Sequence, residues 1–501
     1  MTFYWQNLFF CATIQYMIKS IPQEVKKVLQ ALTDASFEAY IVGGCVRDLN
    51  LDRTPNDWDI TTSAHPEQVQ EIFPDSFYEN DFGTVGVKVS PFLDTGKKNR
   101  EHDIIEVTTY RIESAYTDKR RPDEVKFADT LAEDLSRRDF TMNALALDIQ
   151  NNLIDPYNGT NDIKNKLIRA VGNPTERFDE DALRMMRAVR FGAQLNFEIE
   201  KETFRAIAQK SNLLSHISTE RIKDEFVKIV LSDHPRHGVQ MLHDTGLLKH
   251  FLPELELGID IEQNHHHTLT VWEHNLQALG TCPSKKLEVR LATLFHDIGK
   301  PESKRGKGRD CTFYNHEYIS ARIAKTVLKR MHFSTKIIEK TVLLVRNHMF
   351  YYSVDEVTET AVRRIIRKVG LENMKDLMDV RIGDRLGSGT PKAKPYKLRH
   401  FEYMIDKVSK DPVSVKMLKL NGDIMISDLS FEPGPQIGAI LNVLLAEVIE
   451  NPTKNTLEYL SERAVSLKDE NLSQLKDLAK EKIKEKQKDD DKDIKKKHWV
   501  K

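Results

Sequence analysis

The sequence predicts an α+β fold: a small mixed-sheet domain at the N-terminus, followed by helical domains to the end of the chain. Three observations carry this. Between about 20 and 150, short apolar runs alternate with helical segments. Beyond about 160, helical periodicity dominates and strand patterns nearly vanish. The last stretch, from about Leu467, is rich in Lys, Glu and Asp and poor in large apolar residues, so its composition predicts a solvated helix or a disordered tail.

AYIVGG (39–44) predicts a buried strand running into a glycine turn, and DWDITTS (57–63) a strand opening toward a helix near His65–Phe73. TVGVKV (84–89) and HDIIEVTTY (102–110) alternate as strands do, and TMNALALDI (141–149) closes the mixed part. Farther on, Leu183, Met186, Val189 and Phe191 mark the apolar side of a helix. A histidine-rich segment runs from near His265 to about Thr390, and another helical part, interrupted at FEPGPQIG (431–438), follows it. There is no internal repeat.

The 501 residues suggest about three domains. With 40% hydrophobic and 30% charged residues the chain is expected to form soluble cores, and no run approaches the ~18 apolar residues of a membrane span. The net charge of −1 means that a nucleic-acid partner would need a local positive field. Cys11, Cys45, Cys282 and Cys311 form no C-x-x-C pair, which fits free thiols in a reducing cytoplasm. The opening MTFYWQNLFFCATIQYM lacks the basic start and cleavage site of a signal peptide. A helical pattern begins after Met17, which points to Met17 as the natural start and to 1–17 as a leader outside the fold.

Three features converge on phosphate chemistry. Gly43-Gly44-Cys45-Val46-Arg47-Asp48 follows a strand; glycines admit phosphate close to the backbone, and Arg47 suits bidentate pairing with a triphosphate. Alone, such a turn is usually only a turn. Asp57-Trp58-Asp59 lies on the next strand pattern, where residues two apart share a face, so its two carboxylates suit Mg²⁺. Alone, it reads equally as a solvated loop pair. Arg137-Arg138-Asp139 and Glu180-Asp181-Ala182-Leu183-Arg184 form the third feature. Asp181 and Arg184, three apart on one helix, offer an acceptor and donors to a base edge, or else form an ordinary intrahelical ion pair. Arg187 and Arg190 continue that spacing around the helix.

IVGGCVRD, NDWDI, YTDKRRPDEV, RRDFTMNALALD, DEDALRMMRAVRF and ERIKDEF occur in the order seen in class II CCA-adding enzymes and bacterial poly(A) polymerases, and over residues 38–230 the chain resembles that family. The resemblance implies a nucleotidyltransferase palm at 18–155, a nucleotide-selecting helical neck at 156–255, an HD domain at 256–390, a helical body and tail region at 391–466 that binds RNA, and a charged tail at 467–501. It implies that Asp57 and Asp59 bind Mg²⁺, and that Gly43, Gly44, Arg47 and Arg138 hold the triphosphate and sugar. Asp181 and Arg184 would read CTP and then ATP, with Arg187 and Arg190 on nearby phosphate, while Glu225 braces the neck. The RNA 3′ hydroxyl would attack the α-phosphate in line. The segment Glu113–Val125, with Tyr116, Asp118, Arg120, Arg121 and Pro122, resembles the flexible loop of complete CCA enzymes.

His274, His296-Asp297 and Asp384 follow the order of the HD phosphohydrolase pattern, with His316 and His348 where extended HD sites carry further ligands and Lys300 in FHDIGK. Imidazole and carboxylate donors suit Mn, Fe, Ni or Zn. The run His265-His266-His267 explains nothing without a geometry. Basic residues exceed acidic ones between Arg363 and Arg399, including Arg363, Arg364, Arg367, Lys368, Lys392, Lys394, Lys397 and Arg399; with Tyr396 and Phe401 they suit RNA phosphates and bases, or else a solvated helix face. The expected function is CCA addition to tRNA from CTP and ATP. The alternatives are a poly(A) polymerase, an HD phosphohydrolase with a vestigial palm, and a non-enzymatic RNA-binding protein; no membrane partner is expected.

Overall fold

The computed structural model describes residues 21–80, 83–92, 102–114, 124–264, 269–350, 352–354, 356–390, 392–409, 415, 418–475 and 491–500. They divide into two compact units, one of residues 1–346 with 387–389, the other of 347–386 with 390–501.

In the first unit the apolar run at 39–42 forms β1 (Ala39–Val42), and β2 (Asp59–Thr62) pairs with it antiparallel. The strands β3 (Ser76–Asn80), β4 (Thr84–Val89) and β5 (Asp103–Thr109) make an antiparallel run. A separate hairpin joins β6 (Arg111–Ser114) to β7 (Glu124–Phe127). The short β8 (Ala146–Leu147) and β9 (Leu153–Ile154) complete a seven-stranded sheet in the order β3-β4-β5-β2-β1-β8-β9. The pairing of β2 with β5 is parallel and sets Asp59 beside Glu106. Along β5, Ile105 and Val107 are buried while Ile104 and Glu106 stand exposed, so the strand gives one face to the core and one to an open polar surface.

Four of the expected strands are present, but two expectations are corrected. The strand of DWDITTS starts only at Asp59; Asp57 sits in the bend before it and is exposed. TMNALALDI supplies only two strand residues, because Thr141–Asn143 form a 3₁₀ turn. The amphipathic helix Gln23–Asp34 buries Val25, Val28, Leu29 and Leu32, the spacing of one helical face.

After the sheet the first unit is helical apart from a short parallel pair, Leu167–Ile168 with Glu198–Ile199. The helix Leu183–Leu195 buries Leu183, Met186, Val189 and Phe191 as expected, and also Arg184 and Arg190. It packs against the helices Thr219–Leu231 and Pro235–Asp244, with Val271–Thr281 and Leu287–Phe295 beyond them. Burial on most sides obliges its arginines to find partners, because an unpaired buried charge costs several kcal/mol.

In the second unit the helices Glu359–Val369 and Tyr396–Ser409 pack together. FEPGPQIG begins a helix, Pro435–Glu450, with Pro435 at its first position, where the missing N–H costs nothing. Leu418, Phe431, Ile440, Leu444 and Leu460 form a core around it. The charged end is less solvated than its composition predicts. Leu467 and Leu475 join this core, and residues 491–500 are helical over most of their length and bury Ile494 and Val500. Tyr403 donates to Asp491, and Lys497 and His498 reach Asp406 at 2.5 and 2.9 Å. Few apolar side chains suffice here because an existing helix supplies the other half of the surface. Among the described residues, no helix is long and apolar enough to cross a membrane.

Candidate active site

At the end of β1 the backbone turns through Gly43 at φ 79°, a region L side chains rarely adopt, and enters the helix Gly44–Asn50. A Cβ on Gly43 would lie 2.8 Å from Nη1 of Arg138 and 3.8 Å from Oδ2 of Asp59. The bare glycine therefore lets a cation and a carboxylate approach the turn together. A cavity of about 340 Å³ opens here, lined by Asp59, Glu106 and Thr108 of the sheet and by Arg111, Arg137 and Arg138. The carboxylates are hard oxygen donors suited to a divalent cation, and the guanidinium groups suit phosphate.

Asp59, Gly43 and Arg138 are brought together as the sequence suggests. Asp57 stands two residues upstream in the exposed bend. Arg137, part of the Arg137-Arg138-Asp139 feature of the sequence, lines the same cavity, and Glu106 and Arg111 are additions that sequence reasoning missed. The signal for Glu106 is the alternation of DIIEVTT, which places it on the polar face, but its partner strand is fixed only by the β2–β5 register. Cys45, next to this turn, is buried, and its thiol is pushed up to about 12, first by burial and then by Asp59. It is an inert packing residue rather than a nucleophile.

Arg47 is turned inward. Its Nε and Nη2 donate to Asp48 Oδ1 at 2.9 and 2.7 Å, and Nη1 donates to Asn143 Oδ1 at 2.8 Å. Asn143 in turn donates to Asp139 Oδ1 at 3.0 Å, while Arg187 donates to Asp139 Oδ2 at 2.8 and 2.5 Å. Burial alone would raise the Asp139 carboxyl, but Arg187 and Asn143 outweigh it and hold it well below the usual carboxylate range. Arg190 meets Glu225 at 3.1 Å. Burial, then the neighbouring Arg187, lowers the Arg190 guanidinium to about 10. All three guanidiniums surround the Phe191 ring, at 5.1, 5.5 and 4.1 Å for Arg47, Arg187 and Arg190. Arg47, Asn143, Asp139 and Arg187 thus join the helix Gly44–Asn50 to the helix Leu183–Leu195, and Arg190 joins the latter to Thr219–Leu231 through Glu225.

Asp181 and Arg184 do not share a helix as their spacing suggests. One helix ends at Glu180 and the next begins at Leu183. Asp181 accepts from the Leu183 N–H at 2.9 Å, the behaviour of a capping residue, and its other oxygen pairs with Arg221 at 3.1 Å. Arg184 donates to Glu180 at 2.7 Å and to the Arg137 carbonyl at 3.0 Å. Each side chain is thus held by a partner of its own.

A second cluster lies in the helical part of the first unit. His274 and His296 approach Nε2 to Nε2 at 2.9 Å, and Asp297 Oδ2 lies 3.2 and 3.4 Å from them. These three atoms converge as metal ligands do, and all three residues are buried. His316 Nε2 is 3.2 Å from the other Asp297 oxygen, and Lys300 Nζ is 2.6 Å from Oδ2. Burial pushes the Asp297 carboxyl up, but Lys300 and His296 prevail and keep it ionised. His348 and Asp384 belong to the second unit, where Asp384 pairs with Arg381 at 2.5 Å. In that unit Phe401 is a core residue stacked on Phe350 at 4.8 Å, so it offers no surface for a base, whereas Tyr396 is exposed. His265, His266 and His267 lie outside the described residues, as do Tyr116, Asp118, Arg120, Arg121 and Pro122, the leader 1–17 and the tail segment 476–490.

A family model for the poly A polymerase head domain matches residues 39–169. One described as a probable RNA and SrmB-binding site of polymerase A matches 196–258, and an HD domain matches 264–386. The CCA-adding enzyme of Lactococcus lactis subsp. lactis is 33% identical over 87% of this chain and 96% of its own length. That of Lactobacillus helveticus is 50% identical over 46% of this chain, and the match spans about half of the relative, 54%. Among solved structures, the Bacillus stearothermophilus CCA-adding enzyme in complex with CTP aligns with a TM-score of 0.56 at 27% identity, covering 89% of this chain and 96% of that one.

Proposed function

We propose that this chain, which belongs to the CCA-adding enzyme family, adds CCA to the 3′ end of tRNA from CTP and ATP with release of pyrophosphate. Its family membership rests on the 33% identity that spans nearly the whole Lactococcus lactis enzyme. The observation that carries the activity is the cavity beside Gly43 that Asp59 and Glu106 share with Arg111, Arg137 and Arg138.

Asp59 and Glu106, with Asp57 from the preceding bend, would hold Mg²⁺, and the all-oxygen donor set fits that ion. When bound, the metal lowers the cost of ionising the RNA 3′ hydroxyl and of charge on departing pyrophosphate. Arg138, Arg137 and Arg111 bind the triphosphate, and the turn at Gly43 and Gly44 leaves room for it. Holding the α-phosphate in line with the hydroxyl supplies most of the acceleration. Asp181 and Arg184 read the base; to do so they exchange Arg221 and Glu180 for the base edge. Arg47, Arg187 and Arg190 brace the neck through Asn143, Asp139 and Glu225 rather than contact phosphate. The basic segment 363–399 of the second unit supplies RNA contacts, and the buried free thiols of Cys45, Cys282 and Cys311 suit a reducing cytoplasm.

A second reading concerns the HD region. The convergence of His274, His296 and Asp297 favours a bound Mn, Fe, Ni or Zn and a phosphohydrolase side activity. Incubation of the purified protein with tRNA lacking CCA, CTP, ATP and Mg²⁺ tests the main reading. A product that stops after CCA supports it; a long adenylate ladder would identify a poly(A) polymerase instead.

A further inference from the structure

Two adjacent arginines do not converge on one cavity without cause. Arg137 and Arg138 follow the short helix Leu131–Ser136, and with Arg111 they bring three cations to the lining of one cavity. Like charges this close repel, and each long side chain has many rotamers to lose. Something must draw the pair together.

That group is Asp134, whose side chain is fully buried, one turn before the arginines. One carboxylate oxygen accepts from Arg137 Nε and Nη2 at 3.1 and 2.7 Å, and the other accepts from Arg138 Nη2 at 3.3 Å. The helix is itself fixed. Thr130 and Glu133 form a capping box at its start, and the carbonyls at its end are gripped from the neck, Ser136 by Arg177 at 3.1 Å and Arg137 by Arg184 at 3.0 Å. Opposite, the missing side chain of Gly43 leaves the space that Arg138 Nη1 occupies.

We infer that Asp134 is a positioning residue for the triphosphate: it converges Arg137 and Arg138 on the cavity that Asp59 and Glu106 also line. It touches no substrate itself. Held by one carboxylate, the two guanidiniums lose their freedom to splay. This assignment rests on the nucleotidyl-transfer reading above.

The test is Asp134→Asn, which keeps size and removes the charge. The expected result is a fall in kcat for CTP incorporation of about 10- to 100-fold, tripolyphosphate inhibition weakened by a similar factor, and unchanged tRNA affinity. Wild-type kcat and wild-type tripolyphosphate inhibition in a folded Asp134→Asn would overturn the inference. Should that variant not fold, Asp134→Glu keeps the charge and shifts it by one methylene. A lowered kcat at an unchanged melting temperature then supports the role, and an unchanged kcat contradicts it. Displacement of a fluorescent CTP analogue by tripolyphosphate reads the same clamp without turnover, so a wild-type protein that adds no nucleotide would refute the function and leave the clamp measurable.

Discussion

The cavity beside Asp59 and the histidine cluster around Asp297 both gather ionisable groups, but they are assembled on opposite terms. The cavity sets two carboxylates, Asp59 and Glu106, and three guanidiniums, Arg111, Arg137 and Arg138, around about 340 Å³ of space. The cluster presses His274, His296, His316 and Lys300 onto one carboxylate, all of them buried. An open space lined by both signs of charge suits a ligand that carries both a cation and phosphate. Donors as close as those of His274, His296 and Asp297, all within 4.8 Å of one another, suit a single metal ion instead. A constellation of charged residues in sequence therefore says little about readiness until its spacing in space is known.

The largest expected effect separates the two sites. Asp297→Ala should weaken Mn²⁺ binding at the cluster by at least about 100-fold, read by calorimetry, while CTP incorporation in Mg²⁺ stays within about twofold of wild type. Collapse of both activities together would break the comparison, because it would make the cluster a structural support of the palm.

Next comes the brace between sheet and neck. Asp139→Ala removes the partner of Arg187 and should cost about 3–5 kcal/mol in a urea titration. A loss below about 1 kcal/mol would mean that the network is decorative. The same carboxyl predicts a pH dependence. Because Arg187 and Asn143 hold the folded Asp139 below its ordinary value, its contribution is complete above about pH 3.9 and is lost as pH falls through the folded value. Asp134 behaves likewise: burial raises it, and Arg137 and Arg138 lower it further. Stability measured between pH 2 and 6 should decline on the acid side, and more shallowly in Asp139→Asn.

The smallest effect sharpens the picture of the cavity. Gly43→Ala places a Cβ 2.8 Å from Arg138 Nη1 and strains a positive-φ turn. It should cost about 1–3 kcal/mol and lower CTP affinity more than the stability loss alone explains. Unchanged CTP affinity would show that Arg138 can shift without consequence.

Much of the fold is legible in the sequence because its signals are local. β1, β4 and β5 follow from apolar alternation, and Gly43 from the need for a sharp turn after β1. What escapes is set by distant partners. Arg187 and Arg190 look like free cations on a helix until Asp139 and Glu225 are brought to them by the packing of other elements. Glu106 becomes part of the site only through a parallel pairing that its own strand does not encode. Spacing of three suggests one helix for Asp181 and Arg184, yet the aspartate side chain competes for a backbone N–H and starts a new helix instead. Phe401 and Leu475 are misread from their charged neighbours, since composition does not reveal which single side chain meets a waiting core.

Asp59 and the arginines that line its cavity form one proposed nucleotidyl-transfer site. Single-turnover CTP incorporation into tRNA lacking CCA, comparing wild type with Asp59→Asn at equal melting temperature, tests it most directly. The rate should fall by roughly 10²–10³-fold or more with tRNA affinity intact. An Asp59→Asn protein that incorporates CTP at the wild-type rate would contradict the account, because the carboxylate wall would then have no part in the chemistry.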